Sequence, residues 1–77
     1  MKADRTLDCV GLYCPMPIVK TSQEIKQMKT GEILEILADD IGIKQDMPAW
    51  CRTTGNECLG MEEGNGEIRV YVKKKSS

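Results

Sequence analysis

The chain has 77 residues, of which 40% are apolar and 30% charged, a composition typical of small folded proteins rather than disordered or membrane-embedded ones. Its 11 basic and 12 acidic residues leave a net charge of -1, so it lacks the positive field that holds a protein on nucleic acid. It contains no histidine, which excludes Ser-His and Cys-His catalysis and the commonest metal ligand.

The first half of the chain predicts a strand, a helix and a second strand. Residues 6–9 alternate as a half-buried strand does. Residues 15–28 then carry apolar side chains at helical spacing, with Gly31 as the expected stop. Residues 32–38 are apolar on both faces, which predicts a strand in the middle of a sheet.

A second, shorter helix is predicted to end at Gly55. Asp46 is a suitable N-cap, and Pro48 would then lie in the first turn, where a missing N–H has no cost. The alternative is a start near Ile43, with the proline accommodated as a kink.

Two strands, residues 57–62 and 67–73, follow on either side of an Asn65-Gly66 turn, which is a strong hairpin signal. The whole order predicts an α+β fold, a two-layer α/β sandwich of order β-α-β-α-β-β. It would have a four-stranded mixed sheet and two helices on one face. Apolar residues on the uncovered face would form a thin mini-core or a partner surface. The last strand predicts inward Ile68, Val70 and Val72 and outward Arg69, Tyr71 and Lys73.

We expect a single domain over residues 1–77, in which residues 73–77 are a flexible basic tail. No charged start with an apolar run and a small-residue cleavage site precedes the first strand, and no apolar stretch approaches membrane-spanning length. The expected location is therefore the cytoplasm, without a membrane partner.

Sulfur is the unusual chemistry of this chain, which has four cysteines. An even count in a short chain is typical of secreted disulfide scaffolds, but a cytoplasmic chain keeps its thiols for catalysis, metals or packing. The spacings Cys9-x4-Cys14 and Cys51-x6-Cys58 are not those of zinc knuckles, so no metal is expected. Cys9 and Cys58 are predicted to be structural. Cys51 has three interpretations: a core residue, a resolving partner that forms a disulfide with Cys14, or a second relay thiol.

Cys14 is the predicted reactive residue because Pro15-Met16-Pro17 follows it directly. These residues predict a rigid helix whose first and third positions are proline, with Cys14 at the cap. A helix start favours an anion, and with both prolines lacking an N–H, Met16 offers the main early donor. Such a position lowers the pKa of a thiol and increases its thiolate fraction. The alternative is a small apolar residue packed at a turn.

Leu7-Asp8-Cys9, Gly11-Leu12 and Cys14-Pro15-Met16-Pro17 resemble the opening signature of the TusA/SirA family of small sulfur carriers, defined by Cys-Pro-x-Pro. The resemblance covers nearly the whole chain. It continues through Gly31-Glu32-Ile33-Leu34-Glu35, Asp39-Asp40, Asp46-Met47-Pro48-Ala49-Trp50-Cys51 and Thr54-Gly55-Asn56-Glu57.

The resemblance implies a two-layer sandwich and a sulfurtransferase-like carrier in which Cys14 holds sulfane sulfur as a persulfide. The sulfur would come from a protein donor, a cysteine desulfurase or a rhodanese-like enzyme, and pass to a protein acceptor. Thiolate exchange needs neither a histidine nor a cofactor. Leu12, Tyr13 and Met16 are the nearest apolar candidates for partner contacts, with local packing as their other role. We expect a monomer.

The resemblance leaves the pathway open. Gly42-Ile43-Lys44-Gln45 lacks the Thr-Thr-Arg stretch of members linked to tRNA thiolation, and sulfur oxidation, molybdenum-cofactor synthesis and selenium metabolism are the other family roles. Two functions of other classes compete with the carrier. One is a thiol-disulfide redox module that uses Cys14 and Cys51, and the other is a regulatory binding domain in which Cys14 is inert.

Overall fold

The structure, a computed structural model, describes residues 2–13 and 15–75. The described elements have the predicted order of strand, helix, strand, helix, strand, strand. They are β1 (Arg5–Asp8), α1 (Met16–Lys26), β2 (Ile33–Ala38), α2 (Ile43–Thr54), β3 (Glu57–Gly64) and β4 (Glu67–Lys73).

The four strands form one mixed sheet in the order β1-β2-β4-β3. β1 and β2 are parallel, and β4 pairs antiparallel with β2 on one side and β3 on the other. The prediction that β2 is central is therefore confirmed. Asn65 and Gly66 make the turn between β3 and β4 with φ angles of 54° and 75°, the left-handed pair that a tight hairpin turn requires.

Both helices pack on one face of the sheet, as predicted. β2 and β4 supply the sheet side of the core, since Leu34 pairs with Val72 and Ile36 with Val70 and all four side chains are fully buried. The helices cover this layer with Ile25 from α1 and with Ile43, Met47 and Cys51 from α2.

The other face of the sheet holds a polar network that crosses all four strands. Thr6 donates its hydroxyl hydrogen bond to Glu35 at 3.1 Å, and the Tyr71 hydroxyl lies 2.9 Å from Glu35 and 3.1 Å from Glu62. Tyr71 is on the predicted face but is only 4% exposed, so its prediction as an outward residue needs correcting. Its neighbours on β2 and β3 cover the ring, and this part of the face is a thin packed layer.

α1 is shorter at both ends than the sequence predicts. It ends at the C-cap Gln27, while Met28 lies beyond the helix and is buried at 4% exposure. Gly31 has a φ of 95° and donates its N–H to the Lys74 carbonyl at 2.7 Å. The glycine therefore serves the turn into β2 and the contact with the chain after β4, not the end of the helix.

α2 begins at the earlier of its two predicted starts, Ile43. Asp46 is consequently not the N-cap, which is Gly42, but lies in the first turn of the helix. Pro48 is inside the helix, beyond the first turn. Gly55 ends the helix as predicted, in a left-handed conformation with φ of 83°.

The chain after β4 is attached to the fold, in contrast to the predicted flexible tail. The Lys74 N–H donates to the Glu32 carbonyl at 3.0 Å, which continues the pairing of β4 with β2. The Lys75 N–H donates to the Asn56 side chain at 3.2 Å. Residues 76–77 lie outside the described residues.

Candidate functional site

Two loops meet where the parallel strands β1 and β2 end. The Cys9 N–H extends the pairing of the strands to the Leu37 carbonyl at 2.7 Å, and the Gly11 N–H donates to the Asp39 carboxylate at 3.0 Å. Gly11 has a φ of 87°, a left-handed conformation that suits glycine. These bonds fix residues 9–11 at the carboxyl edge of the sheet.

The start of α1 differs from the predicted one by a residue. Pro15 is the N-cap, with ψ of 12°, so Met16 is the first helical residue and Pro17 the second. The Met16 N–H donates to the Tyr13 carbonyl at 2.8 Å. The expectation that this N–H would remain for a thiolate at the cap is wrong, because a backbone carbonyl of the preceding turn accepts its hydrogen bond.

Cys14, the predicted reactive residue, lies outside the described residues. Its neighbours in sequence are exposed: Tyr13 at 78%, Met16 at 42%, and Pro15 also on the surface. Leu12, in contrast, is half-buried and packs against the core. Of the three predicted contact residues, Tyr13 and Met16 present apolar surface, whereas Leu12 has the packing role.

Two further exposed apolar residues, which the sequence alone did not indicate, belong to this edge. Val10 is 46% and Ile41 70% exposed, and each follows the end of a parallel strand. The parallel order of β1 and β2 would have been the signal, because the carboxyl ends of parallel strands lie at one edge of a sheet. We call these four exposed side chains near the carboxyl edge of the sheet, Val10, Tyr13, Met16 and Ile41, the apolar rim.

Cys9 is part of the core, as predicted, and is fully buried. Burial raises the pKa of its thiol, the Asp8 carboxylate adds to the rise, and Lys20 opposes it. A buried thiol with a raised pKa is a poor nucleophile, so the loop after β1 offers no reactive group at this position.

Cys51 is also buried, at 2% exposure. Burial raises the pKa of its thiol to about 12, and the neighbouring Cys58 thiol adds to the rise. Cys51 lies eight residues after Ile43, the first residue of α2, which is about 12 Å along a helix. The structure therefore places Cys51 beside Cys58 and away from the apolar rim.

Two basic side chains of α2, Lys44 and Arg52, make contacts outside the apolar rim. Lys44 forms an ion pair with Glu63 at 2.6 Å, and Arg52 lines the cavity beside Cys51 and Cys58. The crevice between the starts of the two helices is instead lined by Asp40 and Asp46 together with apolar side chains.

Within residues 2–13 and 15–75, no three cysteine, aspartate or glutamate side chains are grouped as metal ligands. In the same part of the chain, neither helix is long and apolar enough to cross a membrane.

Residues 5–74 match the family model described as Sulfurtransferase TusA. The putative sulfur carrier protein YrkI of Bacillus subtilis is 38% identical, with the match covering 96% of this chain and 99% of that protein. YrkF of the same organism, also a putative sulfur carrier protein, is 49% identical over 96% of this chain. A putative sulfur carrier protein of Aquifex aeolicus is 40% identical over 99% of this chain. The chain spans only 40% of YrkF and 39% of the Aquifex protein.

The fold has a counterpart among solved structures. The crystal structure of the SirA-like protein from Desulfitobacterium hafniense superposes with a TM-score of 0.81 at 22% identity, covering 94% of this chain and 99% of that one. The predicted architecture of two helices on a four-stranded mixed sheet is confirmed by this match and by the described elements.

Proposed function

The chain belongs to the TusA/SirA family, and on this premise we propose that it is a sulfur carrier whose Cys14 holds sulfane sulfur as a persulfide. Relatives that match nearly the whole chain are named sulfur carrier proteins. The observation that carries the proposal is the apolar rim, because two of its exposed side chains, Tyr13 and Met16, lie on either side of Cys14 in the sequence at the start of α1. A carrier needs such an edge to bring its thiol against another protein.

The proposed transfer has two exchange steps. The Cys14 thiolate attacks the terminal sulfur of a persulfide on the donor protein. The donor's S–S bond breaks, its thiolate leaves, and the sulfur becomes part of a Cys14 persulfide. A thiolate of the acceptor then attacks the terminal sulfur on Cys14 and releases the Cys14 thiolate. The sulfur atom is conserved through both steps, and no external oxidant or reductant takes part.

This chemistry suits a chain without histidine. Thiolate exchange needs no general base once the thiol is ionised, and the substrate is one sulfur atom on the cysteine of another protein. Recognition therefore depends on contacts between protein surfaces. Tyr13 and Ile41 are the most exposed large apolar side chains of the described chain, and aromatic residues are frequent anchors of interfaces.

The competing redox module has less support. It would require Cys51 as the partner of Cys14, but Cys51 is 2% exposed and is adjacent to Cys58. No described feature favours an inert regulatory domain over the carrier.

Intact mass tests the carrier function directly. The chain is incubated with a cysteine desulfurase and cysteine, and its mass is compared before and after reduction. We expect a reducible gain of about 32 Da, one sulfur atom, in the wild type. The gain should disappear in Cys14→Ser and persist in Cys58→Ser, a matched substitution at a half-buried thiol away from the rim.

The proposal would be wrong if Cys14→Ser gained sulfur as the wild type does. It would also be wrong if the wild type lost two mass units and gained no sulfur, and if neither Cys14→Ser nor Cys51→Ser showed that loss. The second result would establish the redox module.

A further inference from the structure

A second pair of thiols lies between the last turns of α2 and the start of β3. Cys51 is 2% exposed, and Cys58 is half-buried and packs against the core cluster that contains Cys51. Both side chains line a surface cavity of about 450 Å³, to which Pro48, Arg52 and Lys75 also contribute. The two thiols therefore face one opening in the surface.

Local backbone geometry holds the two cysteines together. The Gly55 N–H donates to the Cys51 carbonyl at 2.9 Å, and the left-handed conformation of Gly55 turns the chain back toward the sheet. Cys58 is the second residue of β3 and is paired with Val72 of β4. The connection between the cysteines is thus a fixed turn between two packed elements.

The two thiols differ in what can reach them. Cys58 is partly exposed to solvent, whereas Cys51 lies behind it with a pKa raised to about 12 by burial and by Cys58. A small oxidant entering the cavity therefore meets Cys58 first. Arg52 lines the same cavity.

We propose that Cys51 and Cys58 form a reversible intramolecular disulfide when a hydroperoxide enters this cavity. The Cys58 thiol takes one oxygen from the peroxide and becomes a sulfenic acid, and the peroxide is reduced to water or an alcohol. The Cys51 sulfur, whose side chain is adjacent to that of Cys58, then attacks the Cys58 sulfur, its proton leaves with the sulfenic oxygen as water, and the S–S bond forms. The two thiols lose two electrons and two hydrogens in total, and the peroxide accepts them.

This site is separate from the apolar rim. Cys51 is two turns into α2, about 12 Å along the helix from its first residue, whereas the rim lies where α2 begins. The disulfide would join the end of α2 to the edge strand β3. Oxidation here leaves the Cys14 thiol out of the reaction.

Peptide mapping of the wild-type chain tests the proposal without any substitution. The folded protein is treated with hydrogen peroxide, its remaining thiols are alkylated in denaturant, and it is digested with trypsin. Cleavage after Lys44, Arg52 and Arg69 places Cys51 in peptide 45–52 and Cys58 in peptide 53–69. We expect these two peptides to be linked, with two hydrogens fewer than their sum, and to separate on reduction with dithiothreitol.

Single variants identify the order of events. Cys14→Ser should keep the link, and Cys58→Ser should leave Cys51 as a free thiol after the same exposure. Cys51→Ser, if folded by circular dichroism, should let Cys58 advance to a sulfinic acid, a gain of about 32 Da on peptide 53–69. The proposal is overturned if peptide 45–52 is found joined to peptide 6–20, which holds Cys9 and Cys14, or if wild-type Cys58 reaches the sulfinic acid without any link.

Discussion

Tyr71 shows how one buried hydroxyl joins the strands of the open sheet face. The hydroxyl lies between the carboxylates of Glu35 and Glu62, and its pKa is raised to about 12, first by the hydrogen bond to Glu35, then by burial and by Glu62. The folded chain therefore retains the phenolic proton where the unfolded chain releases it, since a free tyrosine has a pKa of about 10. The stabilisation is complete below about pH 10 and is lost as pH rises toward 12.

Tyr71→Phe tests this linkage at the residue scale. The variant keeps the ring and removes the group that titrates, so its free energy of unfolding should decline less between about pH 9 and pH 11 than that of the wild type. Urea unfolding followed by circular dichroism at both pH values measures the difference. Parallel declines for the two proteins would show that the Tyr71 hydroxyl has the same pKa in the folded and unfolded chain.

At the scale of elements, the beginning of α1 shows what the sequence can predict and what it cannot. Pro15 and Pro17 restrict the backbone, so they predicted the start of the helix to within one residue. They could not predict the partner of the Met16 N–H, because that depends on the turn formed by Tyr13, whose carbonyl accepts the bond. The same limit applies to Pro48. Its position in the sequence is compatible with either the first turn of a helix or a helix interior, and only the folded structure decides between them.

Gly55 determines how α2 ends and how the chain enters β3. Its φ of 83° is a left-handed conformation that costs a residue with a Cβ roughly 1–2 kcal/mol. Gly55→Ala should therefore lower the free energy of unfolding by about that amount, measured by urea denaturation. Gly60→Ala is the matched control: Gly60 lies in β3 without a positive φ, and a Cβ there would meet open space. If the two substitutions lowered the free energy of unfolding equally, a Cβ at Gly55 would not strain the turn between α2 and β3.

The apolar rim depends on elements that only the folded chain brings together. Tyr13 and Met16 could be selected from the sequence because they adjoin Cys14, but Ile41 is 27 positions from Cys14 in the chain. It joins the rim because β1 and β2 are parallel and both end at this edge. The sequence therefore predicted the rim residues that adjoin Cys14 in the chain, but it did not predict Ile41, which strand pairing brings to the same edge.

Tyr13→Ala and Ile41→Ala should each slow the loading of sulfur from a cysteine desulfurase. Loss of an interface anchor costs more than about 1 kcal/mol, so we expect kcat/KM to fall about fivefold to tenfold, mainly through KM. Arg69→Ser, an exposed substitution on β4, is the control and should load at the wild-type rate. Unchanged loading in both rim variants would place the donor contact on another surface.

At the scale of the whole molecule, alternation and helical spacing were sufficient to predict the architecture. The buried positions of β2 alternate as a two-layer fold requires, and Leu34, Ile36, Val70 and Val72 all belong to the core between the sheet and the helices. The attachment of residues 74–75 was not predictable, because three consecutive lysines are typical of a solvated tail. Their backbone and side-chain bonds depend on the position of Gly31 and Asn56 in the folded chain.

A two-layer domain of 77 residues has a thin core, so its stability depends on a few central side chains. Ile36 is fully buried and pairs with Leu7 of β1 on one side and Val70 of β4 on the other. Ile36→Ala removes three carbons from this position and leaves a cavity, at a cost of about 2–5 kcal/mol. Because small domains have a total stability of only about 5–15 kcal/mol, the urea midpoint should fall by about a seventh at the least.

Ile41→Ala is the matched control for Ile36→Ala, since it makes the same chemical change five positions away at a residue that is 70% exposed. Its free energy of unfolding should stay within about 0.5 kcal/mol of the wild type, while its sulfur loading falls. The pair therefore separates the two uses of isoleucine in this chain, one in the core and one at the rim. Comparable loss of stability in both variants would mean that the loop after β2 is packed into the core and is not free to contact a partner.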